Sequence, residues 1–425
     1  MSKNTVPPFY STGDPGSFAM NTMKKRKIRI IEQLLALEQL TSDEKQALSA
    51  LAREILHGVV SNPFERPLIG CGLFEEEEIK SWKESIASYI NQPWLNIPFY
   101  FAEAYLYLRI LIACGYFEHD SPSCGKDPFC PLKEKELLSP GGGLDAGKRL
   151  LKILEGIRNP GEKARMLVLN SLWGNRIDLS MFHLAESSKQ ILFIDREENL
   201  LIDDSQRLAA LLRKARRIDV ILDNVGSELV CDLLLAWHFL SSSDCVFHFH
   251  AKKHPIYVSD ATPMDVEKTV SAIASDSDGI FSAFGLKLLG FLKSGRMHVH
   301  SHHFWNSALH YNELPSDIKN DLMRSDLIIL KGDVNYRRLL QDRRWHSCES
   351  LQELTPYFPS PFAMLRTMKS EIVVDIPRAQ ARLLSQTDPE WRVNGKRGIV
   401  QLVDRDNVGR TPGENRLSPG TGRLL

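Results

Sequence analysis

From about residue 160 onward, short β-branched runs alternate with stretches of helical length. QILFID, RRIDVILDN, CVFHFH, PIYVSDA, DLIILKGD, EIVVDI and GIVQLV alternate with LIDDSQRLAALLRKAR, GSELVCDLLLAWHFL, PMDVEKTVSAIAS and FSAFGLKLLGFLKSG. Such alternation predicts an α/β fold, with a mostly parallel, Rossmann-like sheet inside a three-layer α/β/α domain. No repeat of fixed period competes with it.

The preceding residues read differently. In IRIIEQLLALEQL, EKQALSALAREIL and AEAYLYLRILIACGYF the apolar positions recur every three or four residues, which predicts amphipathic helices. Pro and Gly interrupt that spacing across residues 118–145 and predict a long surface connection there. The expected division is a mobile N-terminus at 1–16, a helical sub-domain at 17–145, the α/β domain at 146–403 and a disordered, Gly- and Pro-rich tail at 404–425. A chain of 425 residues has ample length for a deep site in such a fold.

Lys plus Arg and Asp plus Glu both number 53, so no net charge draws the chain toward nucleic acid or membrane and any ligand must be gripped locally. The basic runs KKRK (24–27) and RKARR (213–217) read as solvated helix faces. Seven cysteines at irregular spacing, with no CxxC pair, indicate neither a disulfide framework nor a zinc ribbon. With no signal-peptide core and no membrane-spanning run, the expected compartment is the cytoplasm, and the expected state is a monomer.

Ligands of open α/β sheets collect beyond the carboxyl ends of the strands. Asp223 and Asn224 follow VIL, Asp260 follows PIYVS, and Asp333 follows LIILKG. One such Asp is commonly a helix cap or turn former. Three of them, with an Asn, make a set of hard oxygen donors suited to Mg²⁺ or Mn²⁺. A phosphate would also need cations, and KGDVNYRR (Lys331, Arg337, Arg338) and LRTMK (Arg366, Thr367, Lys369) supply them.

These segments, LDNVGSELVCDLLLAWHFL, VSDAT, LKGDVNYRRLLQDRRW and LRTMKSEIVVDI, occur in the order seen in the metal-dependent damage-control phosphatases, the former domain of unknown function 89. The chain resembles that family over nearly its whole length, including GSFAMNTMKKR, WLNIPFYFAEAYLYLRI, DPFCPLKEKEL, SLWGNRIDLS and WRVNGKRGIVQL, and Arg366-Thr367-x-Lys369 matches the RTxK motif of its third subfamily. The resemblance implies hydrolysis of small phosphorylated metabolites, sugar phosphates such as fructose 1-phosphate or fructose 6-phosphate, with Mn²⁺ as the first expectation and Co²⁺, Ni²⁺ or Mg²⁺ as others. It implies that Asp223, Asn224 and Asp260 hold the metal and that Glu228 lines the same pocket. It further implies that Asp333, Asn335, Tyr336, Arg337 and Lys369 contact substrate, with Arg366 and Thr367 supporting the phosphate. Asp223, Asp260 and Asp333 are the expected catalytic carboxylates, Asp333 being the freest to act as base or nucleophile.

The flanks depart from the family pattern in their histidines, FHFHAKKHP and HVHSHH. Both read as strands or loops with exposed polar residues, outside the site. Cys231 and Cys245 read as buried hydrophobes, no GxSxG elbow accompanies a serine, and GGG at 141–143 lacks the context of a phosphate-binding loop. Two other function classes fit less well. An S-adenosylmethionine-dependent protein carboxyl (glutamate) methyltransferase would need a Gly-rich turn where DNVGSE offers only Gly226. A non-catalytic metabolite-binding module would need no metal.

Overall fold

A computed structural model of the chain describes residues 6–65, 72–174 and 198–404. One seven-stranded sheet is formed by β1 (Leu200–Asp203), β2 (Arg217–Ile221), β3 (Val246–Lys252), β4 (Met297–His302), β5 (Leu327–Lys331), β6 (Phe362–Thr367) and β7 (Gly398–Val403), in the order β1-β7-β6-β5-β2-β3-β4. Every pairing is parallel except β6 with β7. The chain builds outward from β2 to β3 and β4, then returns to the other side of β2 with β5 and β6. The strand order therefore reverses between β2 and β5, the place where such sheets open a crevice for ligand.

Side chains of period two cover both faces. Ile218, Val220, Ile329, Ala363 and Leu365 pack into one core with the helices Pro160–Trp173 and Ser227–Ser242, while Ile221, Ile328, Leu330 and Met364 pack into a second with Phe304, Tyr336 and Phe358. A third core holds the N-terminal helices together and takes in Ile256 and Ala308 from the sheet side. Its central helix, Phe99–Ala113, is buried nearly all round, as expected of a helix apolar on every face.

Several expected elements differ. PIYVSDA is a turn, because Tyr257 and Val258 both take positive φ (52° and 74°) and reverse the chain where their β-propensity predicts a strand. EIVVDI has no regular secondary structure and joins no ladder, with Asp375 at φ 60°; Ile372, Val373, Val374 and Ile376 satisfy their apolar character in the second core. The strand in that region is FAMLRT, and LIDD opens with β1 before its helix begins at Ser205. QILFID lies outside the described residues, as do 1–5 and 405–425.

Two segments expected to be loose are built in. Residues 130–138 form a helix that buries Lys133 between Asp127 and Asp265, at 2.8 and 2.7 Å. Residues 6–16 run along the body: the Tyr10 amide donates to Asp342, the Thr12 amide to Ile97, and Arg343 stacks 3.8 Å over the Phe9 ring. Among the described residues, no helix is long and apolar enough to cross a membrane.

Candidate active site

The turns after β2, β3, β5 and β6 meet in one cavity of about 490 Å³, closed from above by the first helical segment of the chain. Asp223, Asn224, Asp260, Asp333, Arg337 and Lys369 line it, so residues far apart in sequence but each just past a strand end come together. The turn after β2 is pinned to the one before Asp260 by an isolated bridge: the Val225 amide donates to Ser259 and the Ala261 amide to Asp223, both at 2.8 Å. Asn224 Nδ2 donates to Asp223 Oδ2 (2.7 Å) and to Glu228 Oε2 (3.0 Å), and Ser259 Oγ donates to Asn224 Oδ1 (2.5 Å).

Carboxylates crowd this corner. Burial pushes the Asp223 carboxyl well up, and the charges of Asp260 and Glu228 push it further. Asp260 rises to about 6, again chiefly through burial, although Lys252 Nζ stands 3.4 Å from its Oδ2 and opposes the rise. That oxygen has no hydrogen-bond partner. Glu136, from the helix Cys130–Leu138, is raised to about 7 by burial and by Glu228. A buried set of Asp and Asn oxygens, one of them a carboxylate oxygen that accepts no hydrogen bond, fits a hard divalent cation.

Asp333 sits in a different environment. Its Oδ1 accepts from Arg366 Nε (2.7 Å) and from the Lys369 amide (3.0 Å). Burial would raise its carboxyl, but the guanidinium groups of Arg366 and Arg337 and the Lys369 amide hold it below the usual range. Arg366 is spent on this task, its other nitrogens donating to Ile372 and Ser370, and Thr367 Oγ1 donates to Leu172 O. Lys369 has no carboxylate partner among the described residues, so its ammonium is free in the cavity.

The structure does not bring every expected side chain to the cavity. Asn335 bonds Lys331 O (2.8 Å) and accepts from the Tyr311 hydroxyl; the Tyr336 hydroxyl accepts from the Val374 amide. Both point into the core and neither lines the cavity. Glu228 stands behind Asn224, 3.2 Å from the buried Lys331 ammonium. Arg337 reaches the cavity wall with its guanidinium engaged by Asp342 and Glu103.

Two histidine stretches also differ from expectation. HVHSHH is a strand, but its imidazoles are mostly half-buried: His248 packs against His298 and His300, at 4.6 and 5.1 Å between ring centroids, and its Nδ1 lies 2.8 Å from His300 Nε2. Burial lowers the His248 ring to about 4 and lowers His300 as well. Beside it, Asp219, His250 and Asp321 are the one group among the described residues with metal-ligand spacing. Arg217 already pairs with both carboxylates at 2.8–3.0 Å, and Ser325 Oγ donates to Asp219. The charge that a cation would neutralise is met by a guanidinium, which marks a structural network.

Residues 22–384 match the family described as the damage-control phosphatase ARMT1-like domain. The chain belongs to the ARMT1-like damage-control phosphatase family. It is 31% identical to damage-control phosphatase ARMT1 of Mus musculus, over 93% of this chain and 98% of that protein. It is likewise 31% identical to ARMT1 of Danio rerio, over 91% and 95%. A solved DUF89 family protein from Pyrococcus horikoshii is similar at 18% identity and a TM-score of 0.46, covering 90% of this chain and 97% of that one.

The ARMT1-like cavity also contains residues that sequence reasoning did not find. KKRK, expected to be a solvated face, divides: Lys24 and Lys25 are exposed, Lys27 is buried 2.7 Å from Glu103, and Arg26 lines the cavity with Arg29. Glu103, Tyr107 and Glu136 line it too. Their chain neighbourhoods hold apolar helix or charged surface patterns, and only the fold shows which way they face.

Proposed function

We propose that this ARMT1-like chain is a divalent-metal-dependent phosphoric monoester hydrolase acting on small phosphorylated metabolites, with sugar phosphates such as fructose 1-phosphate or fructose 6-phosphate as its first substrates to try. The observation that carries this reading is the pairing, in one cavity, of the buried Asp223–Asn224–Asp260 oxygen set with the ammonium of Lys369, which has no carboxylate partner among the described residues. Asp223, Asn224 and Asp260 would hold the cation, Mn²⁺ in the first instance and Co²⁺, Ni²⁺ or Mg²⁺ as substitutes. Bound there, the cation would polarise a phosphoryl oxygen.

The protein's own groups supply the rest. Lys369 offsets the negative charge that a phosphate brings into an acidic cavity, and the backbone amides opening the helix Gly332–Leu339 present donors to the same group. Asp333, kept anionic by Arg366, accepts a hydrogen bond from the attacking group and so aligns it with phosphorus. The cap of N-terminal helices limits water around the ester. The methyl-transfer alternative gains no support, since Gly226 is the only glycine in the turn after β2 and the turn packs on Glu136. The six described cysteines form no disulfides with one another, which suits a reducing compartment such as the cytoplasm.

Incubating the purified chain with each of the four metals and a panel of sugar phosphates should release free phosphate. Asp223→Ala should keep the fold and lose both bound metal and at least about 100-fold of the rate. Phosphate release at the wild-type rate by that variant, or none from any ester with any of the metals, would overturn the reading.

A further inference from the structure

The cations of the cavity sort into two kinds. Lys27, Arg337 and Arg366 are paired with Glu103, Asp342 and Asp333, and Lys252 stands against Asp260. Lys369, Arg26 and Arg29 have no carboxylate within ion-pair distance among the described residues. Lys369 lies on the floor, beside Asp333 and just past β6. Arg26 and Arg29 lie on the cap, exposed to solvent yet lining the same cavity.

Their placement follows from the backbone. Residues Thr22–Lys27 form a π-helix between the α-helical turns Phe18–Asn21 and Ile28–Leu35. Its wider turn keeps Phe18, Thr22, Arg26, Ile30 and Gln33 on the cavity side, with Arg29 beside them. π-Helical turns are uncommon and are often found at functional sites. Lys24 and Lys25, in the same turn and equally exposed, do not line the cavity. The Arg26 charge is felt inside it, since it acts on the buried Lys27 ammonium and on the Tyr107 hydroxyl, although burial is the larger influence on both.

We propose that Arg26 and Arg29 form a second anion-binding subsite, so that the preferred substrates are phosphate esters carrying a second anionic group, such as another phosphate, at the end away from the reacting phosphoryl. This deepens, and rests on, the phosphatase reading above. Two unpaired guanidinium forks are the side chains best suited to grip a phosphate or carboxylate, and the acidic floor would reject a second anion everywhere else in the cavity. A cavity of about 490 Å³ is within the usual range for small-molecule sites and has room for an ester with two charged ends. Arg26 and Arg29 thereby act as specificity residues: they anchor the distal anion and leave the chemistry to the floor.

The test compares fructose 1,6-bisphosphate with fructose 1-phosphate and fructose 6-phosphate on the Mn²⁺-loaded full chain. Wild type should favour the bisphosphate in kcat/KM by about tenfold, and Arg26→Ala/Arg29→Ala should bring that ratio close to one by raising KM for the bisphosphate with little change in its kcat. Lys24→Ala/Lys25→Ala removes the same charge from the same turn and should keep the wild-type ratio. Raising salt to about 0.5 M weakens long-range steering while leaving direct contacts, so the preference should persist there. Equal use of mono- and bisphosphate by wild type, or an equal fall in the ratio for the two double variants, overturns the subsite. Calorimetric binding of the bisphosphate keeps the two readings distinguishable. If no ester is turned over but the bisphosphate binds about tenfold more weakly to the double Arg variant, the subsite stands and the hydrolase reading fails.

Discussion

At the scale of single residues, the position that does most to shape the site carries no side chain. Gly332, the first residue after β5, has φ of +83°, and a Cβ placed on it would stand 2.0 Å from Asp223 Oδ2. The close approach of the two turns is what lets the Asp223 carboxylate sit against the backbone that carries Asp333. Gly332→Ala should therefore displace the Asp223 carboxylate and lower kcat/KM about 100-fold, the usual cost of a misplacement near 1 Å. The backbone strain should add about 1 kcal/mol of destabilisation, measurable as a small fall in the denaturation midpoint. A variant with wild-type kcat/KM would show that Asp223 is not held where catalysis needs it. Much of the site was legible at this scale. Asp223, Asn224, Asp260 and Asp333, each a chemically telling side chain at the end of an apolar run, line one cavity with Lys369, which the LRTMK stretch singles out as a phosphate-binding cation. Asn335 and Tyr336 were expected in the cavity on the same basis, but a helix start turns successive side chains through about 100°, and theirs enter the core.

At the scale of elements, Glu103 joins three of them. It lies on the helix Phe99–Ala113 and bonds Lys27 of the π-helical turn (2.7 Å) and Arg337 of the helix Gly332–Leu339. Burial alone would raise its carboxyl, but the Lys27 and Arg337 charges outweigh burial and bring it down to about 2. A carboxylate held below its unfolded value gives stability that is present above that value and is lost as pH falls through the folded one. Burial acts on Lys27 in the opposite sense to its carboxylate partner, lowering that ammonium. Glu103→Gln should thus be less stable than wild type by about 3 kcal/mol at pH 7, with the gap closing between about pH 4.5 and 2. Urea titrations at a series of pH values would check this, and a gap independent of pH would contradict it. The same elements show why sequence reasoning stopped where it did. Periodicity found the helices, but not that Arg26, Glu103 and Glu136 turn inward, since that depends on contacts between segments up to about 300 residues apart. Propensity also misled at Tyr257 and Val258, where tertiary contacts hold two β-formers in a left-handed turn of the kind that collects at functional sites.

For the whole molecule, the sheet order decides where charge accumulates. The reversal between β2 and β5 opens the crevice, the cap covers it, and the enclosed carboxylates of Asp223, Asp260 and Glu136 are all raised, chiefly by burial. A carboxyl raised in the folded state gives stability below its unfolded value, near pH 4, and loses it as pH rises through the folded value, about 6 for Asp260 and about 7 for Glu136. Stripped of metal, the protein should therefore give up stability at this site between about pH 4 and 7. A divalent cation would reverse that trend, because it binds the deprotonated oxygens and competes with the protons that occupy them at low pH. Adding Mn²⁺ to chelator-treated protein should raise the unfolding free energy by about 2.7 kcal/mol when free metal is 100 times its dissociation constant. At one fixed metal concentration the gain should be larger at pH 8 than at pH 5, and it should disappear in Asp223→Ala. Thermal unfolding at both pH values, with and without Mn²⁺, measures this directly. An equal gain at pH 5 and pH 8, or one that survives in Asp223→Ala, would place the cation elsewhere, with the Asp219–His250–Asp321 network the next group to examine.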